Sequence, residues 1–331
     1  NHTATLLWDS RVLVTGGIGA DGHALGSAEI YDPGANAWTP VAAMSRARSG
    51  QTATLLWDGR VLIAGGDDGG AVLDSLELFD PWLETFTPVA RPLSSARTGH
   101  AAALLADGKV LIVGGFSGSQ TLQSANLFDP DADAVTAAAS LATPRAGHTA
   151  TTLLDGKVLV AGGANDSSEL ASGEIYDPTI NAFSPADNAL AMPRQRHQAF
   201  LLPFNNAVLI VGGTSSGKAA ATAELFVQWQ GQRGSFYPTN SPLAARAWAT
   251  GGALSFDEWS YARNGYPEGL LLLAGGSASA DASSPLKSAE LYGFATVKSD
   301  KSDYAPFQQV TITGSGWKPG EIVTIHLVET P

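Results

Sequence analysis

The chain has 331 residues, a formal net charge of −12, 15% charged residues and 44% hydrophobic ones, a balance that excludes disorder and leaves enough apolar side chains for a large core. The acidic balance provides no basic stripe for phosphates, so nucleic acid and anionic membrane surfaces are poor partners. The absence of cysteine rules out disulfides, thiolate metal sites and cysteine nucleophiles, and the longest apolar runs, such as Gly269 to Ala274, fall far short of the roughly 18 residues a membrane helix needs.

Along the chain, short apolar runs close on paired glycines at Gly16-Gly17, Gly65-Gly66, Gly114-Gly115, Gly162-Gly163, Gly212-Gly213 and Gly275-Gly276. The first five pairs are 48 to 50 residues apart and the sixth follows after 63, a period that marks a repeat architecture. Each unit opens with an Arg-x-x-His element: Arg97 to His100, Arg145 to His148, Arg194 to His197, with Gln51 after Arg48 and Ala249 after Arg246 in the place of His. A run of small residues follows, such as Thr52-Ala53-Thr54 or Ala101-Ala102-Ala103, which suits a strand at a crowded axis. Asp58-Gly59, Asp107-Gly108 and Asp155-Gly156 then supply two-residue hairpin turns. The returning strand is apolar and β-branched, as in Val61-Leu62-Ile63 or Val110-Leu111-Ile112, and it ends on the glycine pair.

After a variable loop comes a third, alternating strand: Ala28 to Tyr31, Leu76 to Phe79, Ala125 to Phe128, Gly173 to Tyr176, Ala223 to Phe226 and Ala289 to Tyr292. Asp32-Pro33, Asp80-Pro81, Asp129-Pro130 and Asp177-Pro178 end four of these and start turns. Trp38, Phe86, Val135 and Phe183, seven residues beyond each aromatic, mark a fourth strand. Four antiparallel strands in about 50 residues cannot bury both faces alone, but stacked radially they can.

These recurring Gly-Gly, Tyr and Trp positions resemble the kelch repeat, over about residues 1–293. The implied fold is all-β: a six-bladed kelch β-propeller with four-stranded blades and essentially no helix, its repeats at about 1–47, 48–96, 97–144, 145–193, 194–245 and 246–293. Val135, the loss of Asp-Pro at Val227-Gln228 and an insertion around Phe256 to Pro267 depart from the pattern. From 294 to 331 the chain resembles the opening of a bacterial immunoglobulin-like module, a truncated β-sandwich segment with strands around Val310 to Thr313 and Ile322 to Leu327. Tandem modules of that kind resemble extracellular stalks, which implies a secreted or cell-surface, multidomain protein carrying a monomeric propeller. Asn1 is not Met, so any signal peptide lies upstream. Closure is expected to set the first strand, His2 to Leu7, beside blade six and to leave Ala289 to Tyr292 as an exposed edge.

Several motifs imitate chemistry. The loop Gly212 to Ala219 nearly matches a phosphate-binding loop, and Gly213, Ser215 and Gly217 match a nucleophile elbow. Both motifs need a helix after the loop, whereas this segment leads into a strand and has Ala219 where Ser or Thr would hold magnesium. Asp129, Asp131 and Asp133 imitate a calcium loop, but Ala134 and Ser140 stand where it needs Gly and Glu. His2, His100, His148 and His197 recur once per repeat and read as structural rather than as metal ligands. The recurring Glu29, Glu77, Glu174, Glu224 and Glu290 read as ion-pair partners of the repeated Arg; Glu77 is expected to meet Arg97 or the Arg of an adjoining repeat. Kelch relatives include copper radical oxidases of the galactose oxidase type, whose tyrosine–cysteine cofactor this cysteine-free sequence lacks. No cofactor and no metal are expected.

Everything repeated looks structural, so function is expected in the variable loops. The reading is a non-catalytic binding or adhesion scaffold for a protein or carbohydrate ligand, using the loops after the glycine pairs: His23, Asp67, Asp68, Ser117, Asn165, Asp166, Ser216 and Lys218. The rival is a carbohydrate-active enzyme using acids such as Asp67, Asp68 and Asp166 at the propeller mouth, which needs two carboxyls about 5 to 9.5 Å apart. A purely architectural surface module is the third reading.

Overall fold

The Asp-Gly turns, β-branched runs and Asp-Pro turns build one four-stranded meander per repeat. The computed structural model describes residues 1–202, 205, 207–254, 269–299, 309 and 311–315, and these contain strands, turns and no helix. Blade 1 is β1 (Thr3–Leu6), β2 (Val12–Thr15), β3 (Ala28–Asp32) and β4 (Ala37–Pro40), antiparallel and in sequential order. Blade 2 repeats it with β5 (Thr52–Leu55), β6 (Val61–Ala64), β7 (Leu76–Asp80) and β8 (Thr85–Pro88). Blade 3 has β9 (Ala101–Leu104), β10 (Val110–Val113), β11 (Ala125–Asp129) and β12 (Ala134–Ala138). Blade 4 has β13 (Thr149–Thr152), β14 (Val158–Ala161), β15 (Gly173–Asp177) and β16 (Ala182–Pro185).

In blade 5, β17 (Gln198–Leu201), β18 (Ala207–Val211), β21 (Ala223–Val227) and β22 (Ser235–Thr239) form the sheet, while β19 (Thr214–Ser215) and β20 (Lys218–Ala219) make a small hairpin in the loop. Lys218 therefore sits on a strand. The helix a phosphate-binding loop or a nucleophile elbow requires is not there. Blade 6 has, among the described residues, three strands, β23 (Thr250–Leu254), β24 (Leu270–Ala274) and β25 (Ala289–Gly293).

Alternation along the second and third strands buries both faces. In blade 2, Val61, Ile63 and Phe79 lie with Leu7, Leu13 and Ile30 of blade 1 in one buried cluster. Leu62 and Leu78 point the other way, against Val110, Ile112 and Phe128 of blade 3. Similar clusters join blades 3 to 4, 4 to 5 and 5 to 6. Aromatic cross-strand pairs extend each core outward: Tyr31 with Trp38, Phe79 with Phe86 and Tyr176 with Phe183 have ring centroids 4.8 to 5.0 Å apart. In blade 5 the partner of Phe226 is Phe236, at 5.1 Å. Without Asp-Pro the turn there is longer, so the seven-residue offset does not find it.

Each repeat's Arg is a buried hub. Arg48, Arg97, Arg145 and Arg194 are 0% exposed and Arg246 1%. Arg145 Nη1 donates to the carbonyls of Gly162 and Ser172 at 2.7 and 3.0 Å, and Nη2 donates to Ser172 Oγ and Glu174 Oε1 at 3.1 and 2.8 Å. Its own carbonyl accepts from Gly115 N of the preceding blade at 2.8 Å, so one residue clamps two blades. Carboxylates meet the same hub at Arg48–Glu77 (2.6 Å), Arg194–Glu224 (3.0 Å) and Arg246–Glu290 (2.6 Å). The partner of Glu77 is thus Arg48, which opens the same repeat, and not Arg97 or an adjoining repeat's Arg. The meander folds its third strand back beneath its own opening segment. Arg97 has only the neutral Asn126, at 3.2 Å, and burial uncompensated by a carboxylate pulls its pKa down to about 10.

The glycine pairs are explained by the same clamp. Gly65 has φ +59°, and a Cβ there would collide with the Arg97 carbonyl and the His100 ring, so no side chain fits.

Of the expected closure, the free edge is seen directly. The edge at β25 is present: Leu291 is 58% exposed, whereas its blade 2 counterpart Leu78 is 7% exposed. Each innermost strand neighbours the next in chain order, from β1 through β5, β9, β13 and β17 to β23, but no buried cluster among the described residues joins blade 6 to blade 1. Val12, Val14 and Tyr31, counterparts of the fully buried Val61, Ile63 and Phe79, are half-buried. After Gly293 the chain leaves the blade, burying Phe294 against Leu202 and Leu271. There β26 (Thr296–Ser299) pairs with β27 (Ile312–Ser315) and not with β25. The strand expected around Val310 to Thr313 is shifted toward Ser315; Val310, Ile322 to Leu327 and the insertion around Phe256 to Pro267 lie outside the described residues.

Candidate functional site

The loops after the glycine pairs fold back onto the segments that follow each clamping Arg. Isolated bridges tie Ser49 to Asp67, Thr98 to Phe116, Ala146 to Ala164, Gln195 to Thr214 and Ala247 to Ser277, so loops and axial residues share one face. Innermost runs a backbone ladder. Gly50 N donates to Asn1 O (3.1 Å), Gly99 N to Gly50 O (3.1 Å), Gly147 N to Gly99 O (2.8 Å) and Arg196 N to Gly147 O (2.7 Å).

That ladder position is left-handed in successive blades. Gly50, Gly99 and Gly147 have φ of 64°, 59° and 64°, and the same place holds Arg196 at 54° and Trp248 at 61°. Glycine takes this conformation freely, whereas an L side chain costs roughly 1–2 kcal/mol there. Blades 5 and 6 thus keep a strained backbone in order to set two large side chains at the axis. The Arg196 guanidinium lies over the indole of Trp248, 4.2 Å from the ring centroid, a cation–π stack. Trp248 remains 38% exposed.

The loop residues singled out from sequence mostly satisfy one another. Asp67 accepts from Gly69 N at 2.6 Å and Asn165 from Ser167 and Ser168 N at 2.9 and 2.8 Å, closing local turns. Ser117 bonds Ser119 and Gln120 within its own loop. Asp68 pairs with Arg46, which with the Gly70 and Ala71 amides holds its carboxyl down to about 2. Asp166 accepts from Thr121 N of the blade 3 loop at 2.9 Å, and Ser216 N donates to Glu169 at 2.5 Å, so neighbouring loops are cross-linked. His23 and Lys218 are exposed on their own loops. The structure therefore brings these residues to one rim, in a set of separate loops.

His2 is exposed, whereas His100, His148 and His197 are buried at the blade interfaces. His100 Nε2 bonds Thr52 Oγ1 of the preceding blade at 2.9 Å, and His197 Nε2 bonds Thr149 Oγ1 at 3.0 Å. For His148 the residue in the register of those threonines is Ala101, and neither ring nitrogen has a hydrogen-bond partner among the described residues. Burial, with the nearby Arg97 and Arg194 charges, pushes His100 and His197 down to about 3, and burial likewise pushes His148 well down, so these three stay neutral. No group of three or more His, Asp or Glu suited to a metal occurs among the described residues.

Sequence reading passed over Arg196 and Trp248, although a signal was present. The register Arg-x-Gly-His holds at Gly99 and Gly147 and breaks at these two positions. No curated protein matches this chain. A model of the Kelch motif matches residues 2–45, 49–93 and 144–188, which are blades 1, 2 and 4, the ones that keep Asp-Pro, the paired aromatics and the third-strand Glu. The chain carries kelch motifs on an all-β, six-bladed propeller.

Proposed function

We propose that this propeller is a non-catalytic scaffold that binds a protein partner through its loop face, centred on Arg196 and Trp248. The observation that carries this reading is the backbone strain retained at both residues, where the repeat elsewhere uses glycine. Folding alone favours glycine at that position, so the side chains serve something other than the fold. Trp and Arg are also the residue types that dominate the energetics of protein interfaces. Surface attachment is part of the same proposal. It is supported by the pairing of β26 with β27, which suits the start of an immunoglobulin-like module, and by the resemblance of such modules to stalks.

The test is reversion to the repeat. Arg196→Gly and Trp248→Gly, singly and together, relax the backbone and should leave thermal stability unchanged or raised by about 1 kcal/mol per site. Affinity capture of partners by the wild-type chain should be lost in the double variant. Capture that survives the double reversion, or a large loss of stability, would show that these side chains serve the fold.

A further inference from the structure

The opposite face of the propeller carries the β1–β2 and β3–β4 type turns, and there three of the chain's eight tryptophans lie on neighbouring blades, two of them around one hairpin. Trp8, Trp57 and Trp82 are 66%, 59% and 70% exposed. Exposure of this size in an indole is not needed by the blade: the equivalents of Trp8 in blades 3 and 4 are Ala106 and Leu154. Trp8 and Trp82 converge on Gly59, since a Cβ there would meet Trp82 Cζ3 at 3.1 Å and Trp8 Cδ1 at 3.2 Å. Trp8 Nε1 donates to the Leu56 carbonyl at 3.3 Å, which fixes its plane. The Trp82 indole N–H has no hydrogen-bond partner among the described residues. Leu7, Asp9, Pro81 and Gly59 complete a cleft of about 200 Å³ between the two rings.

The rim of this cleft is polar and its charged groups are paired. Arg11 pairs with Asp9 at 2.7 Å and with Glu84 at 3.0 Å, and its Nη2 donates to the Pro81 carbonyl at 3.2 Å. Asp58 on the central hairpin pairs with Arg60 at 2.6 Å. Asp9, Glu84 and Asp58 face two guanidinium groups, so the rim carries a net charge of −1 that disfavours an anion, and the paired carboxylates and guanidinium groups keep spare acceptor and donor positions for hydroxyls. A volume below the roughly 300–1,000 Å³ of drug-sized pockets admits one ring. A proline-rich segment would need a groove several residues long. Flat indoles, a rim of paired charges rich in hydroxyl-binding groups and space for one ring together define the ligand class.

We propose that the cleft between Trp8 and Trp82 binds a neutral pyranose ring of a glycan, stacked on the indoles, with its hydroxyls at Asp9, Arg11 and the Trp82 N–H. The site lies on the face away from Arg196 and Trp248 and does not depend on that reading. The test uses an array of neutral oligosaccharides, then titration of the best one against the whole chain by tryptophan fluorescence and calorimetry. Poly-L-proline and tetramethylammonium run as parallel probes. Saturable binding of a neutral glycan should weaken at least tenfold in Trp8→Ala and in Trp82→Ala, exposed sites where the fold tolerates truncation. Binding should persist in Trp57→Ala, whose ring lies one blade on against Gly108, and in the Arg196→Gly, Trp248→Gly double variant. Failure of every neutral glycan to bind would overturn the proposal. So would glycan affinity unchanged by both tryptophan substitutions, or saturation only by poly-L-proline or tetramethylammonium.

Discussion

Removing one carboxylate from the repeated clamp measures what holds a blade. Glu174 is the cleanest target because its side chain is 5% exposed and that of Arg145 0%. Glu174 Oε1 accepts from Arg145 Nη2 at 2.8 Å and from Thr143 N at 3.2 Å, and Oε2 accepts from Ala142 N at 2.8 Å. Glu174→Ala strands a guanidinium that no other carboxylate reaches, a loss of about 3–5 kcal/mol for a broken buried pair. The two orphaned amides fall within that figure, since the vacated space admits water. Glu174→Asn copies the natural state of blade 3. There Asn126 Oδ1 accepts from Arg97 Nη2 at 3.2 Å and from Ser94 Oγ at 2.9 Å, and Nδ2 donates to the Thr136 carbonyl at 3.2 Å. Blade 4 has Ala142 where blade 3 has Ser94, so the copy recovers only part of that network and should cost about 1–2 kcal/mol. Urea unfolding followed by tryptophan fluorescence reads both as midpoint shifts at constant slope. If Glu174→Ala costs less than about 1 kcal/mol, the hub is held by its carbonyl bonds and the ion pair is incidental.

Two further predictions concern the axial histidines. His100 and His197 bind protons near 6.5 when unfolded and near 3 when folded, so the unfolded state takes up more protons between those values. Their contribution is full above about pH 6.5 and is lost as pH falls toward 3, by roughly 1.4 kcal/mol per unit for each residue. The urea midpoint should drop between pH 7 and 4.5, and His197→Gln should flatten the slope; a pH-independent midpoint would mean that these imidazoles titrate alike in the folded and unfolded states. Ala101→Thr supplies His148 with the hydroxyl that Thr52 and Thr149 give its neighbours. It should add about 1 kcal/mol and raise the melting temperature by about 2 °C, and an unchanged or lower value would refute the missing-partner reading.

The blades were legible because each signal in the sequence is a local geometric need repeated at a fixed offset. Asp58-Gly59 needs positive φ at its glycine, Val61 to Ile63 needs two apolar faces, and Phe79 needs a cross-strand partner at Phe86. The clamp was legible as a pairing of Arg with Glu but not in its register, because which Arg lies over Glu77 depends on how the meander turns back, and no spacing rule encodes that. Phe236 escaped because a longer turn moved it. The candidate site was the least legible part. The reading looked for polar tips on variable loops, and residues such as Asp67, Asn165 and Ser117 are there, but their hydrogen bonds are spent on shaping the loops. Neither Arg196 nor Trp248 is in a variable loop; both sit inside the conserved-looking opening element of a repeat.

A repeat protein carries its own control for each position, and that turns departures from the repeat into physical evidence of two kinds. Asn126 departs from Glu, but Ser94 and the Thr136 carbonyl take up its hydrogen-bonding groups, so the local network absorbs the change and no external role is needed to explain it. Val135 departs from an aromatic and still packs against the cluster that contains Phe128. Arg196 and Trp248 are different: against their positive φ stand only a stacked pair open to solvent and one long, exposed hydrogen bond from the Trp248 indole to the Ala280 carbonyl at 3.5 Å. Trp82 is similar, an indole 70% exposed at a turn where blade 1 has Gly34 and blade 4 has Thr179. Compensated departures track the freedom of the fold to vary. Uncompensated ones, which cost stability or solubility without improving the blade, mark the surfaces on which we propose that binding acts, and here they fall on both faces of the propeller.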